Sequence, residues 1–159
     1  MLDSIPGDFF GKCVGISANQ VMIGAYGIDS IKPGGTVVKG AGAVYVYQQN
    51  GGTWSLHQKL MPATFERNDN FGFSLAMHGN YALIGAKRED EGPGEQDSVP
   101  EAGAAYIYYY NGTQWEEQQK LIGLHRKSFD EYGSSLALTE THAIVGAFAH
   151  AFDTNVQIR

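Results

Sequence analysis

The sequence copies itself every 61 residues. Asp8, Asp69 and Asp130 stand one period apart, as do the pairs Phe10-Gly11, Phe71-Gly72 and Tyr132-Gly133. Ile23-Gly24-Ala25 returns as Ile84-Gly85-Ala86 and then as Val145-Gly146-Ala147. The later half of the unit recurs once. Gly42-Ala43 with Tyr45 and Tyr47 becomes Gly103-Ala104 with Tyr106 and Tyr108, and Trp54 and Gln58-Lys59-Leu60 become Trp115 and Gln119-Lys120-Leu121. Residues 8–60 laid on 69–121 without a gap match at 20 of 53 positions. A register held over that length marks duplication of one structural unit, and a period of this size belongs to stacked repeat architectures. Such units bury their apolar faces on their neighbours.

Each unit reads as four short strands. The first covers residues 13–18, 74–79 and 135–139, and the second covers 21–25, 81–86 and 143–147, after a tight turn. The third, 43–47 and 104–109, is rich in tyrosine, valine and isoleucine, which suit a half-buried pleated surface. Asn50-Gly51 and Asn111-Gly112 follow as hairpin turns with positive-φ positions. A fourth strand alternates Trp54, Leu56 and Leu60, with Trp115 and Leu121 at matching places. No stretch has a helical period, and 21 glycines with only 18% charged residues agree with many strands and turns. Four antiparallel strands per repeat make a β-propeller blade. The expected fold is therefore all-β: one full blade over 8–60, a second over 69–121 and part of a third over 130–159, all in one propeller or propeller-fragment domain. The small residues at Gly24-Ala25 and Gly42-Ala43 are expected where sheets approach near a central channel, and the tryptophans between neighbouring blades. An isolated sandwich would leave the fixed period unexplained.

Asp-x-Phe-Gly, a strand, a tight turn, Ile-Gly-Ala and later Gly-Ala-x-Tyr-x-Tyr together resemble the FG-GAP repeat, which builds the β-propeller of integrin α-subunits and of many bacterial surface proteins. Asp69, Phe71-Gly72, Ile84-Gly85-Ala86, Gly103-Ala104 and Tyr106 carry the pattern, and residues 8–148 are covered by it. The resemblance implies a ring of about seven blades, an extracellular or cell-surface setting and a role in binding. Calcium-binding members carry an Asp-x-Asp-x-Asp-Gly loop between the first two strands. Here those turns are Ser17-Ala18-Asn19-Gln20, His78-Gly79-Asn80-Tyr81 and Thr139-Glu140-Thr141-His142, which lack the carboxylates for six or more oxygen ligands. The calcium role is not carried over, and no cofactor is expected.

A net charge of −6 argues against nucleic acid, which needs a positive field. Cys13 is the single cysteine, so no intrachain disulfide forms, and it aligns with Ser74 and Ser135 as a small strand residue. The N-terminal stretch has no signal-peptide pattern, and no apolar run reaches the roughly 18 residues of a membrane span. Export is left open, because a leader removed or lying upstream would not show.

The connections between strands two and three, residues 26–41 and 87–102, are long for antiparallel links, and loops on a rigid scaffold often carry binding. Asp29 and Asp90 are equivalent within them, and Asp90, Glu91 and Asp97 are weak metal-ligand candidates, although no spacing matches a known cation loop. An acidic solvated loop is the plainer reading. Asp29, Asp90 and Glu95 are candidate partner contacts. Tyr109 and Tyr110 replace Gln48 and Gln49 and so depart from the repeat, which makes them the preferred aromatic contacts. The repeated aspartates Asp8, Asp69 and Asp130 read as turn caps whose carboxylates accept backbone N–H bonds. The five histidines, His57, His78, His125, His142 and His150, show no metal-binding spacing, and no nucleophile elbow or phosphate loop is present.

These features point to a non-enzymatic recognition, adhesion or scaffold module that binds protein or glycan through inter-strand loops, with no membrane insertion. The alternatives are a propeller enzyme, such as a lyase or hydrolase with a site at the channel, and a self-assembling structural module. An enzyme would need polar groups that differ between blades and converge on the axis, whereas the inner positions read as small and repeated. A closed ring needs at least four blades, so the missing ones come from a longer protein, from further copies in a homo-oligomer, or an open array is capped by a partner. Residues 155–159 have the pattern of one more strand.

Overall fold

The computed structural model describes residues 6–92 and 97–150. The first unit folds into β1 (Phe10–Ser17), β2 (Gln20–Ala25), β5 (Ala43–Asn50) and β6 (Thr53–Leu60), an antiparallel sheet in that spatial order. A small hairpin, β3 (Ser30–Ile31) with β4 (Val37–Val38), stands in the long loop between β2 and β5. The second unit repeats the sheet with β7 (Phe71–His78), β8 (Tyr81–Ala86), β9 (Ala104–Tyr110) and β10 (Trp115–Leu121). The third contributes β11 (Tyr132–Leu138) and β12 (Ala143–Ala147). This is the expected all-β architecture of four-stranded blades, two whole and one in part; the candidate strand at 155–159 lies outside the described residues. The strands start earlier than the apolar pattern alone suggests, because each first strand begins with a bulge at the aromatic-glycine pair. Gly72 sits there at φ +83°, with the spot for a Cβ 2.6 Å from the Ala43 carbonyl, so only glycine fits. The hairpin turns also differ in detail from the sequence reading. Gly51 and Gly52, not Asn50, take positive φ in the first, and Gly112, not Asn111, in the second.

Neighbouring blades meet through their first strands, β1 against β7 and β7 against β11. The contact between the first two blades is the main core. Met22, Val44, Val46 and Leu60 form the trailing face of the first blade, and Phe71, Ala82, Ile84, Tyr108 and Trp115 the leading face of the second. Two polar fasteners cross that core. The Trp115 indole N–H donates to Gln20 at 3.0 Å, and the Gln58 side chain both accepts from and donates to the Trp115 backbone. Trp115 thus takes its expected place between blades. Trp54 is 41% exposed instead, because no blade of the described chain stands in front of the first one.

Close approach is enforced at the repeated Ile-Gly-Ala. A Cβ on Gly85 would lie 2.1 Å from the Gly133 carbonyl of the third blade, and one on Gly24 would lie 2.2 Å from the Gly72 carbonyl. Beside each glycine a small side chain, Ser74 or Cys13, donates to that same carbonyl. The alignment of Cys13 with Ser74 therefore reflects a shared interblade hydrogen bond.

Candidate functional site

The antiparallel order places both the long loops and the interblade connectors, residues 61–70 and 122–131, at one end of every blade. The connectors clamp the loops of the preceding blade. Asn68 N–H donates to the Lys39 carbonyl, Phe129 N–H to the Pro100 carbonyl, and the Arg126 guanidinium to the carbonyls of Asp90 and Asp97. Asp29 and Asp90 staple their loops shut in the same way, accepting from Gly40 N–H at 2.9 Å and Glu101 N–H at 2.6 Å. Their equivalence is structural.

The repeated aspartates serve the turn that enters each first strand. Asp69 and Asp130 accept from the backbone N–H three residues earlier, at Glu66 and Lys127. What stands beside the aspartate differs in each blade: Ile28, Glu89 and His150 occupy the same repeat position. Glu89 is buried, accepts from the Tyr106 hydroxyl at 2.8 Å and pairs with Lys120 at 3.0 Å. Burial, with the Glu89 charge second, pushes the Asp69 carboxyl up to about 7. In the third blade His150 pairs with Asp130 at 2.9 Å, a role no spacing rule predicts because it depends on the repeat geometry.

The sequence candidates are spread out. Asp90 is committed to its loop, Glu91 pairs with Ser98 in an isolated bridge, and Asp97 is exposed, 3.8 Å from Arg126. Among the described residues no group of three or more His, Cys, Asp or Glu side chains is placed to hold a metal ion. Glu95 lies outside the described residues. Tyr109 packs on Tyr81 with ring centroids 5.0 Å apart, and Tyr110 packs on Trp115 at 5.4 Å; both are half-buried, at the outer part of the blade and not beside the long loops.

The residues brought together are ones the sequence reading passed over. Three repeat positions flank the start of strand one and the end of strand two: Phe9, Asn70 and Glu131; Lys12, Phe73 and Ser134; Tyr26, Lys87 and Phe148. None is preserved between blades, and all lie at the loop end of the innermost strands. Phe9 and Tyr26 stack in parallel at 4.6 Å, and Tyr26 meets Phe73 edge-on at 5.3 Å. The Lys12 and Lys87 ammonium groups lie 4.8 and 4.5 Å from the Phe73 ring centre, and Lys87 pairs with both carboxylate oxygens of Glu131 at 3.1 Å. A cavity of about 380 Å³ opens beside them, between Phe73, Lys87, Glu131, Ser134 and Phe148. Phe9, Asn70 and Glu131 share a left-handed backbone, φ 52° to 59°, which aims this variable position the same way in each blade. The expectation that inner positions are uniform thus holds for the interblade glycines and fails at this mouth. The signal was present as the lack of identity at these three positions, but only the fold shows that they converge.

No curated protein matches the chain. The family model described as FG-GAP repeat matches residues 2–47 and 54–108. The second match runs from the fourth strand of the first blade through the third strand of the second, so the family unit straddles the blade boundary that Trp115, Gln20 and Gln58 fasten. Together the two matches span most of the chain, with the glycines that seat one blade on the next inside them, and the chain belongs to the FG-GAP repeat family.

Proposed function

We propose that this is a non-enzymatic recognition module that binds a protein or glycan partner through the long-loop face, centred on the mouth formed by Phe9, Tyr26 and Phe73. The observation that carries this reading is the contrast between positions. Those that join blades are repeated, whereas those at the mouth change from blade to blade and expose aromatic and charged groups. Rigid aromatics next to lysine suit contact surfaces. The same face also exposes Ile31 and Val37 on the loop hairpin and Phe129 on the connector, an apolar complement that favours a protein partner. Lys87 and Glu131 are already paired with each other, an arrangement suited to orienting a partner more than to moving protons. An adhesion role and an extracellular or cell-surface setting follow from the family resemblance and form part of the proposal. Among the described residues no helix is long and apolar enough to cross a membrane.

The test is selection of binders from a random-peptide display library, alongside a glycan array, on the wild-type chain and on a Phe9→Ala/Tyr26→Ala variant of unchanged circular dichroism. Binders that lose at least tenfold in affinity on the variant support the proposal, since aromatic anchors are each worth about 1–2 kcal/mol or more. Binders indifferent to these residues, or confined to other surfaces, overturn it.

A further inference from the structure

The two Asn-Gly turns of the repeat are alike in sequence and unlike in what holds the asparagine. Asn50-Gly51 joins β5 to β6, and Asn111-Gly112 joins β9 to β10 at the equivalent place. In the second blade the Asn111 side chain is fully engaged. Its Oδ1 accepts from Thr113 N–H and Gln114 N–H, both at 2.9 Å, and its Nδ2 donates to Glu116 at 2.8 Å. The side-chain amide thereby stands in for a backbone group of the turn. In the first blade Asn50 pairs with Thr53 through the strand ladder, and its side chain has no hydrogen-bond partner among the described residues. The sequence accounts for the difference. Ser55 stands where Glu116 does and is too short to reach across the turn, and Thr53 replaces Gln114, which fixes the Glu116 carboxylate with a further bond of 2.9 Å.

An asparagine before glycine carries a reaction of its own. The nitrogen of the following residue can attack the side-chain amide carbon when that amide is free to swing over and no Cβ blocks the approach. The first turn meets both demands. Nothing lies within 4 Å of where a Cβ on Gly51 or Gly52 would stand, and the Gly51 N–H makes no backbone hydrogen bond among the described residues. The exposure of Asn50 does not depend on what stands beside the first blade, since Asn111, Gly112 and Thr113 are exposed too, in a blade flanked on both sides.

We propose that Asn50 is a site of spontaneous deamidation and that Asn111 is protected from it. The Gly51 nitrogen gives its proton to water or hydroxide and bonds to Asn50 Cγ. The Cγ–Nδ2 bond breaks, Nδ2 leaves as ammonia, and a cyclic imide remains. Water then opens the ring. Opening at the side-chain carbonyl leaves aspartate, and opening at the backbone carbonyl leaves isoaspartate, with the main chain routed through Cγ. Either product adds a negative charge to the hairpin, and isoaspartate also inserts an extra backbone atom beside the Asn50–Thr53 pair. At Asn111 the same step requires Nδ2 to leave Glu116 and Oδ1 to leave two N–H groups, and a hydrogen bond to a carboxylate alone is worth about tenfold. This inference concerns the turn opposite the long loops and is independent of the ligand reading of the loop face.

The test holds the full chain folded in mildly alkaline buffer and samples it over time. Trypsin releases residues 40–59, in which Asn50 is the sole asparagine, and residues 89–120, in which Asn111 is. Mass spectrometry of these peptides follows each conversion of amide to acid. Asn50 is expected to convert at least about tenfold faster than Asn111. Its products should be two peptides of equal mass, aspartate and isoaspartate, that separate on a reversed-phase column. In urea, where both turns are lost, the two rates should come together. Glu116→Ser, which gives the second blade the residue of the first at an exposed position, should raise the Asn111 rate severalfold and leave that of Asn50 unchanged. No conversion of Asn50, equal rates in the folded chain, a difference that persists in urea, or aspartate as the single product overturns the inference.

Discussion

Adding one methyl group at Gly85 should separate the second and third blades. The Cβ of Gly85→Ala falls 2.1 Å from the Gly133 carbonyl oxygen and 2.2 Å from Ser74 Oγ. The first obstacle is backbone and cannot rotate away, so the blades must part by about 1 Å to restore ordinary contact. Overpacking of this kind costs about 1–3 kcal/mol. The same movement strains the Ser74 hydrogen bond to Gly133, a buried bond of 2.5 Å worth about 1 kcal/mol. Alanine returns about 0.5–1 kcal/mol by restricting the unfolded chain, leaving a net loss of about 1–3 kcal/mol. Gly146→Ala is the internal control. Its only close obstacle among the described residues is Ser135 Oγ at 2.2 Å, a side-chain atom and not backbone, so stability should change by less than about 1 kcal/mol. Urea unfolding followed by far-ultraviolet circular dichroism and tryptophan emission, with m-values compared, measures both. Equal losses at the two glycines, or a loss at Gly85 below about 1 kcal/mol, would refute the claim that these glycines set the blade spacing.

Other expectations use the same contrasts between equivalent positions. Trp115→Ala should cost about 3–5 kcal/mol, as expected for a buried tryptophan that also fastens two blades, while Trp54→Ala should cost under about 1 kcal/mol; chemical denaturation of the pair checks this. Asp69 has its pKa raised in the folded protein, from 3.8 to about 7, so folding takes up its proton between those values. The associated stability is full below about pH 4 and lost as the pH rises through 7, on the order of 2–4 kcal/mol. Melting temperatures across that range should show the decline, with Asp69→Asn flattening it while Glu89, Lys120, Asp90 and Tyr106 stay in place; an unchanged slope would remove Asp69 as its source. Burial raises the Cys13 thiol to about 11, so at pH 8 its thiolate should be about 100-fold scarcer than at the ordinary 9.0, and alkylation by iodoacetamide correspondingly slow until the chain unfolds. Rapid native labelling would contradict that placement. Asp90→Ala, by removing the acceptor for Glu101 N–H, should speed amide exchange in the long loop while leaving the strands protected.

The 61-residue period by itself determined the blade, its strand order and the pairing of Tyr106 with Tyr45 and Trp115 with Trp54 as equivalents. It did so because a stacked repeat must satisfy the same neighbours at every step, and identity at a position records that demand. Glycine in Ile-Gly-Ala and the aspartate before Phe-Gly were legible for this reason. Identity does not record which copy has a neighbour. Trp54 and Trp115 are alike in sequence, and only the tertiary structure makes one a core residue and the other a surface. The tyrosines chosen for departing from the repeat, Tyr109 and Tyr110, pack on Tyr81 and Trp115, since a substitution on an outer strand can be absorbed within its own sheet. The mouth was missed for the converse reason. Phe9, Lys12, Tyr26, Phe73, Lys87 and Glu131 are far apart along the chain, and each looks like an unremarked turn residue. Their convergence follows from the first strands of neighbouring blades meeting side by side, a relation between blades that no single strand carries in its sequence.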